Sequence, residues 1–229
     1  KTILKFSEFW DKNKFDIVLC LGDRFEMSAA IQSSIPFGVN LAHIHGGETT
    51  LGAIDNIFRH QISLASKYHF VTTEANKNKV KELIGTEKNI FNVGSLSLMD
   101  IDKFKPLQKE KLFTKFNLKD SPFVLATFHP ETIAIKKNIE YASSMSKALE
   151  ELSASINIVV TMPNADTLGS VFRHQLLKLK EKKPNNIFLV ENFGKENYFS
   201  AMYYSRFLIG NTSSGIIEAA SFNKFVLNV

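Results

Sequence analysis

The sequence predicts an α/β protein built on parallel sheets, and three observations carry that expectation. Nine short apolar runs recur along the chain, most of them unbroken instead of alternating, as strands covered on both faces require. Longer segments of helical character separate them, which implies βαβ units with right-handed crossovers. Polar clusters, several bearing glycine, follow directly after several runs, where strands of such sheets deliver their functional groups.

The runs read as strands over 16–21, 38–43, 68–72, 90–93, 123–128, 156–161, 187–190, 207–209 and 225–229. Helices are expected over 24–33, 53–65, 74–84, 137–152, 168–182, 195–204 and 214–221, with a shorter one at 110–116. In the segment 74–84, Val80, Leu83 and Ile84 fall at i, i+3 and i+4 with lysines elsewhere, the pattern of an amphipathic surface helix. The rhythm breaks from Asp102 to Pro122, a lysine-rich interval with prolines near both ends. A domain boundary is expected there, dividing the chain into 1–105 and 106–229, two doubly wound halves facing a cleft.

At 229 residues the chain has room for one large or two small domains. Hydrophobic residues at 44% and charged residues at 22% exclude disorder and low-complexity polymers. No stretch approaches the roughly 18 apolar residues of a membrane helix, so no membrane role is expected. Cys20, the single cysteine, lies within Ile17-Val18-Leu19-Cys20-Leu21 and reads as a buried small hydrophobe in a reducing, cytoplasmic compartment. The net charge of +5 is spread without a block of like charges, so no nucleic-acid partner is expected, and a mild positive balance suits a phosphorylated small substrate. The chain begins at Lys1 without a secretion signal and stops on the apolar run Phe225-Val226-Leu227-Asn228-Val229, so further segments are expected at both ends.

Five clusters qualify as sites. Gly22-Asp23-Arg24 follows the first strand, where Asp23 reads as a helix N-cap or as a functional carboxylate. His43-Ile44-His45-Gly46-Gly47-Glu48-Thr49-Thr50 follows the second. Its glycines let backbone approach a ligand, and its histidines and glutamate suit proton transfer. Two histidines two apart, with no further ligand at metal spacing, argue against a metal site, and His43 reads as a buried, satisfied residue. Asp55, Arg59 and His60 share the next helix, with Asp55 and Arg59 at i and i+4 and so able to pair. His129-Pro130-Glu131-Thr132 follows the strand 123–128, with His129 expected to point into the cleft. Gly210-Asn211-Thr212-Ser213-Ser214-Gly215-Ile216-Ile217-Glu218 is a small polar loop opening a helix, where free N–H groups favour phosphate. Ser213 and Ser214 add hydroxyl donors, and Glu218, one turn in, suits both ribose hydroxyls. No lysine follows this loop and no Gly-x-Gly-x-x-Gly occurs, so neither a Walker phosphate loop nor a nicotinamide cofactor is expected.

Taken in order, these five motifs resemble the family of UDP-N-acetylglucosamine 2-epimerases, in its hydrolysing branch, collinearly over nearly the whole chain. The resemblance implies two Rossmann-like domains of the glycosyltransferase-B type, a UDP-sugar substrate, UDP as product, no cofactor or metal, and a homo-oligomer, either dimer or tetramer. It places the diphosphate near Ser213, Ser214, Gly215 and His129, the ribose on Glu218, and further substrate contacts at Arg24 and Asn164. The sugar would face Asp23, Glu48, Asp55, Arg59 and His60. The family's N-terminal phosphate-binding segment, and its glycine- and arginine-containing stretch after the final strand, have no counterpart in these residues.

One departure matters. Where relatives carry glutamate in a His-Ile-Glu-Gly-Gly pattern this chain has His45, and the loop to Asp55 is one residue longer. The stretches His45-Gly46-Gly47-Glu48-Thr49-Thr50 and Phe128-His129-Pro130-Glu131-Thr132 are similar to the subgroup acting on UDP-N,N′-diacetylbacillosamine in the legionaminic acid pathway. That sugar carries a 6-methyl and a 4-acetamido group in place of two hydroxyls. The implied chemistry removes the C2 proton as UDP leaves C1, then adds water. Asp23, Glu48 and Asp55 are the candidate base and acid, His45 stands in for the usual carboxylate in one step, and Arg59 and His129 stabilise charge. Other readings stay open: a hydrolysing UDP-N-acetylglucosamine 2-epimerase giving N-acetylmannosamine for sialic acid, the non-hydrolysing branch, a glycosyltransferase, or a non-catalytic UDP-sugar binder.

Overall fold

Each of the nine apolar runs forms a strand, and every strand pairing among the described residues is parallel. The computed structural model describes residues 1–50, 53–131, 135–163 and 169–229, which divide into two units, Lys1–Leu96 and Ser97–Val229.

The first unit runs α1 (Thr2–Lys12), β1 (Val18–Leu21), α2 (Phe25–Ser34), β2 (Leu41–Ile44), α3 (Asp55–Ala65), β3 (Tyr68–Val71), α4 (Glu74–Ile84) and β4 (Ile90–Asn92). Its strand order, β1-β2-β3-β4, follows chain order. Right-handed crossovers advancing in one direction place α2, α3 and α4 on the same face. Cys20 in β1 is accordingly buried against Ile31, Leu41 and Ile62, while Leu19 and Leu21 are exposed. This corrects the expectation of a sheet covered on both faces: among the described residues, the first unit is wound on one side only.

The sequence reading missed α1, because Lys1 supplies no side-chain cap. Tertiary contact holds this helix. Trp10 is buried, its indole N–H donates to the Ala30 carbonyl at 3.0 Å, and Phe9 and Phe15 meet its ring edge-on. Strand β2 begins later than expected because Gly38, at φ 65, first ends a short 3-10 turn over Ile35–Phe37.

The second unit contains α5 (Lys109–Lys115), β5 (Phe123–Thr127), α6 (Asn138–Leu152), β6 (Asn157–Thr161), α7 (Gly169–Lys182), β7 (Ile187–Val190), α8 (Lys195–Tyr204), β8 (Phe207–Gly210), α9 (Ser213–Ile217) and β9 (Phe225–Asn228). Its order is β7-β6-β5-β8-β9. The chain enters at the middle, winds outward, then returns to the other side of β5, which makes this unit doubly wound with a switch point between β5 and β8. Alternate strand residues feed two cores. Val124, Ala126, Ile158 and Val160 pack with Met145, Leu149, Phe172 and Leu176 of α6 and α7, whereas Leu125, Val159 and Leu208 pack with Phe113 of α5 and Met202 of α8. The ring of Phe104 meets Phe199 and Phe222 edge-on, and Leu107 N–H donates to Ser200 Oγ at 2.9 Å, so the stretch before α5 packs within this unit.

The continuous helix expected over 214–221 is instead α9 followed by a 3-10 turn at Ala219–Phe222. The change of helix type falls at Glu218, whose side chain is buried at the junction. Among the described residues no helix is long and apolar enough to cross a membrane.

Candidate active site

Asp23 follows β1, but it is not a cap. Arg24 occupies the N-cap position of α2 and makes no side-chain cap bond. The Asp23 carboxylate instead takes the guanidinium of Arg59 from α3. Arg59 is 4% exposed, and its Nη1 also donates to the Glu48 carbonyl at 2.7 Å and to Asn56 Oδ1 at 3.0 Å. The expected Asp55–Arg59 pair therefore does not form, because the arginine faces inward across the strand ends. Asp55, at the first residue of α3, lies close enough to feel Asp23. Burial first, then the Asp23 charge, raises its carboxyl above the ordinary range against the pull of Arg24 and Arg59. Arg24 and His60, the other candidates here, are exposed, and Arg24 pairs with Glu26 at 3.5 Å.

The loop after β2 brings His45 and Glu48 together. His45 sits at φ 70, and its Nδ1 lies 2.8 Å from Glu48 Oε1. A carboxylate can only accept, so Nδ1 carries a proton in this contact. The His45 Nε2 is buried and has no hydrogen bond among the described residues. Burial alone would raise the Glu48 carboxyl. The bond and charge of His45, the hydroxyl of Thr72 and the charge of Arg59 outweigh it and hold the group below its usual value. The two glycines are both steric requirements: a Cβ on Gly46 would stand 3.0 Å from Ser63 Oγ, and one on Gly47 would stand 2.4 Å from the Asn76 carbonyl oxygen.

His43 is the buried, satisfied residue the sequence suggested. Its Nε2 donates to the Gly22 carbonyl and its Nδ1 accepts from Ser63 Oγ, both at 2.9 Å. Burial, opposed by the Gly22 bond and aided by the charges of His69, Arg59 and His45, lowers it to about 4. Between pH 6.5 and 4 the unfolded chain thus binds a proton that the native state refuses. The stability from neutral His43 is whole above about pH 6.5 and falls by about 3 kcal/mol as pH drops toward 4. Urea denaturation across that range is expected to show the loss in the wild type and a flatter profile in His43→Gln; parallel profiles would exclude a neutral buried imidazole.

In the second unit the groups gather at the carboxyl ends of β5 and β8. Gly210, at φ +143, has no room for a Cβ, which would overlap the Thr127 carbonyl. This close approach sets Asn211 beside His129: the His129 N–H donates to Asn211 Oδ1 at 2.7 Å, and Asn211 Nδ2 donates to the His129 carbonyl at 2.8 Å. The His129 side chain is exposed. A cavity of about 480 Å³ opens beside it on the α6 side, lined by Phe128, Glu131, Tyr141 and Phe172 among others. Ser213, Ser214 and Glu218 do not line that cavity. Ser214 and Glu218 stand near Tyr198 of α8, whose hydroxyl burial raises and bonds to Thr127 and Ser214 lower, while the Glu218 charge raises it further. Glu218 is 6% exposed, and its Oε2 has no hydrogen-bond partner among the described residues. Gly215 serves packing, since a Cβ there would meet Val226 Cγ1 at 2.8 Å. Asn164 and Thr132 lie outside the described residues.

Three residues escaped the sequence reading. Asn56 binds the Thr50 and Ala53 carbonyls and shares in fixing Arg59. Thr72 directly follows β3, so the same positional rule that singled out Asp23 and Glu48 would have found it. Tyr198 has no local signal, because only the return of the chain to β8 brings it to the site. No group of three or more His, Cys, Asp and Glu converges as a metal site among the described residues.

Comparison with known proteins identifies the family. The model of the family described as UDP-N-acetylglucosamine 2-epimerase matches residues 1–229. The GDP/UDP-N,N′-diacetylbacillosamine 2-epimerase (hydrolyzing) of Campylobacter jejuni is 35% identical over 225 residues, 98% of this chain and 58% of that protein. The UDP-N,N′-diacetylbacillosamine 2-epimerase (hydrolyzing) of Legionella pneumophila is 34% identical over 231 residues, 99% of this chain and 59% of that protein. In fold, the crystal structure of UDP-GlcNAc 2-epimerase from Neisseria meningitidis bound to UDP-GlcNAc superposes with a TM-score of 0.83 at 20% identity, covering 99% of this chain and 62% of that one. The chain spans less than two thirds of the length of these relatives. It belongs to the UDP-N-acetylglucosamine 2-epimerase family.

Proposed function

We propose that the full-length protein is a hydrolysing 2-epimerase that converts UDP-N,N′-diacetylbacillosamine to UDP and free 2,4-diacetamido-2,4,6-trideoxymannose. The observation that carries this is the acidic cluster of the first unit, where Glu48 is held below and Asp55 above the ordinary carboxylate range. Two carboxyls pushed in opposite directions are what a proton abstraction followed by a proton return requires.

The C2 hydrogen of the sugar is not acidic by itself, so its removal needs concerted departure of UDP from C1. Glu48, ionised, takes that proton while the C1–O bond to UDP breaks, leaving a 1,2-unsaturated sugar. Water then adds its hydroxyl at C1 and releases its other proton to solvent, Asp55 returns a proton to the opposite face of C2, and Glu48 and Asp55 regain their starting states by proton exchange with solvent. No electrons are exchanged with a cofactor. Arg59 orients Asp23 and the Glu48 backbone. His45 Nε2, buried and without a hydrogen bond among the described residues, is the polar atom offered to the sugar's acetamido group. In the second unit, His129, Ser213 and Ser214 stabilise the leaving diphosphate, and Glu218 Oε2 takes the ribose hydroxyls. The curated relatives of known substrate named above support the bacillosamine-type sugar, which points to legionaminic acid synthesis. A glycosyltransferase-B arrangement, a homo-oligomeric state and a cytoplasmic location belong to the same proposal.

The test is turnover in D₂O, followed by proton and phosphorus NMR with UDP-N,N′-diacetylbacillosamine and UDP-N-acetylglucosamine in separate tubes. Free UDP with a C2-deuterated, 2-epimerised sugar is expected from the first, and His45→Glu is expected to shift preference toward the second. Products mainly from UDP-N-acetylglucosamine would reassign the substrate. Deuterated sugar still joined to UDP would mean the non-hydrolysing reaction, and acceptor-dependent UDP release would mean a glycosyltransferase.

A further inference from the structure

Three strand ends, not two, meet at the acidic cluster of the first unit. Strands β1, β2 and β3 are neighbours in parallel register, Leu21 beside Ile44 and Ile44 beside Phe70, so the residues just past β3 stand next to the loop that carries Glu48. Thr72 is the first of these. Its hydroxyl lies 3.0 Å from Glu48 Oε1, and the side-chain amide of Asn76 donates to the same hydroxyl at 2.8 Å. The directions are forced. Asn76 Nδ2 can only donate, so Thr72 Oγ1 accepts from it and keeps its single hydrogen for Glu48. Oε1 is thus held by Thr72 and His45 together, and Oε2 keeps no hydrogen bond among the described residues. The backbone packs to match: Gly47, at φ +80, is pressed so closely on the first turn of α4 that only glycine fits, and Lys79 Nζ donates to Thr49 Oγ1 at 3.1 Å.

We propose that Thr72 and Asn76 are positioning residues, a side-chain relay from α4 that holds Glu48 by one oxygen and leaves the other free for proton transfer. The role of Glu48 rests on the function proposed above; the relay itself does not. Thr73 supplies the contrast, since its hydroxyl caps α4 by accepting from the Asn76 N–H at 3.1 Å. A purely structural contribution of this turn belongs to Thr73.

In the full-length protein, Thr72→Val removes the hydroxyl at nearly constant shape, Thr72→Ser restores it, and Asn76→Ala removes its donor. Turnover is expected to fall about tenfold in Thr72→Val with little change in KM, and to recover in Thr72→Ser. The acid limb of the kcat profile moves to higher pH, because a carboxylate that loses a donor holds its proton more tightly. Carbon-13 NMR of glutamate-labelled protein, with Glu48 assigned from Glu48→Gln, reads the same titration without turnover. It is expected to move upward in Thr72→Val and to stay in place in Thr73→Ala. Should Thr72→Val not fold, Asn76→Ala carries the same expectation at smaller size. An unmoved Glu48 titration in a folded variant overturns the relay, as does a moved titration with unchanged turnover. If the wild type turns over no nucleotide-sugar, the proposed function fails by itself, while the NMR titration still decides whether Thr72 holds Glu48.

Discussion

Arg59→Met is expected to cost about 3 kcal/mol of stability and to lower UDP release about 1,000-fold. Arg59 is buried and satisfies three acceptors at once: the Asp23 carboxylate, the Glu48 carbonyl and Asn56 Oδ1. Methionine keeps most of the volume, so the loss comes from the partners left behind. The estimate sits at the lower end for a broken buried pair because Asp23 keeps 23% of its side chain in solvent. A second substitution separates stability from catalysis. With Asp23→Asn added, the stranded charge is gone and much of the stability should return, while turnover stays lost. Denaturation midpoints and a UDP-release assay on the two variants check this. A double variant as unstable as the single one would mean that the Glu48 and Asn56 contacts dominate, and retained turnover would remove Arg59 from the site.

Glu218→Met is expected to act with opposite signs on stability and binding. In the free protein, Glu218 Oε2 is a buried acceptor without a partner among the described residues, an arrangement that costs about 1–3 kcal/mol. An apolar side chain of similar length removes that cost, so the melting temperature should rise. UDP affinity should fall about 30-fold, as expected when charge-assisted bonds to ribose hydroxyls are lost. Calorimetry with UDP and with 2′-deoxy-UDP makes the assignment specific. The wild type should distinguish the two nucleotides and the variant should not. A variant that still distinguishes them would place the ribose elsewhere.

All nine strands were legible because continuous apolar runs bounded by polar residues are a local signal, and Gly38 shifted only the start of β2. Helix α1 was not legible, since its anchor is the bond from Trp10 to Ala30, a contact made only after folding. The doubly wound expectation holds for the second unit and not for the described part of the first, because winding depends on strand order, which crossover segments do not encode. At the site, Asp23, His45, Glu48 and Glu218 were visible in polar clusters after strands and Arg59 on the helix that follows, while which of them pair was not.

The sequence by itself determined which segments become strands, where glycine must turn the chain, and the ordered set of motifs that marks the family. These are properties of a few consecutive residues, and they survive whatever the rest of the chain does. Only the tertiary structure decided partnership: Arg59 with Asp23 instead of Asp55, Glu48 between His45 and Thr72, and Glu218 buried with a free oxygen. The physical reason is that charges and hydrogen-bonding groups choose among whatever lies within about 3 Å. In a parallel sheet that neighbourhood is set by which strands are adjacent, and β2 and β3 bring Thr72 to Glu48 across 24 positions of sequence.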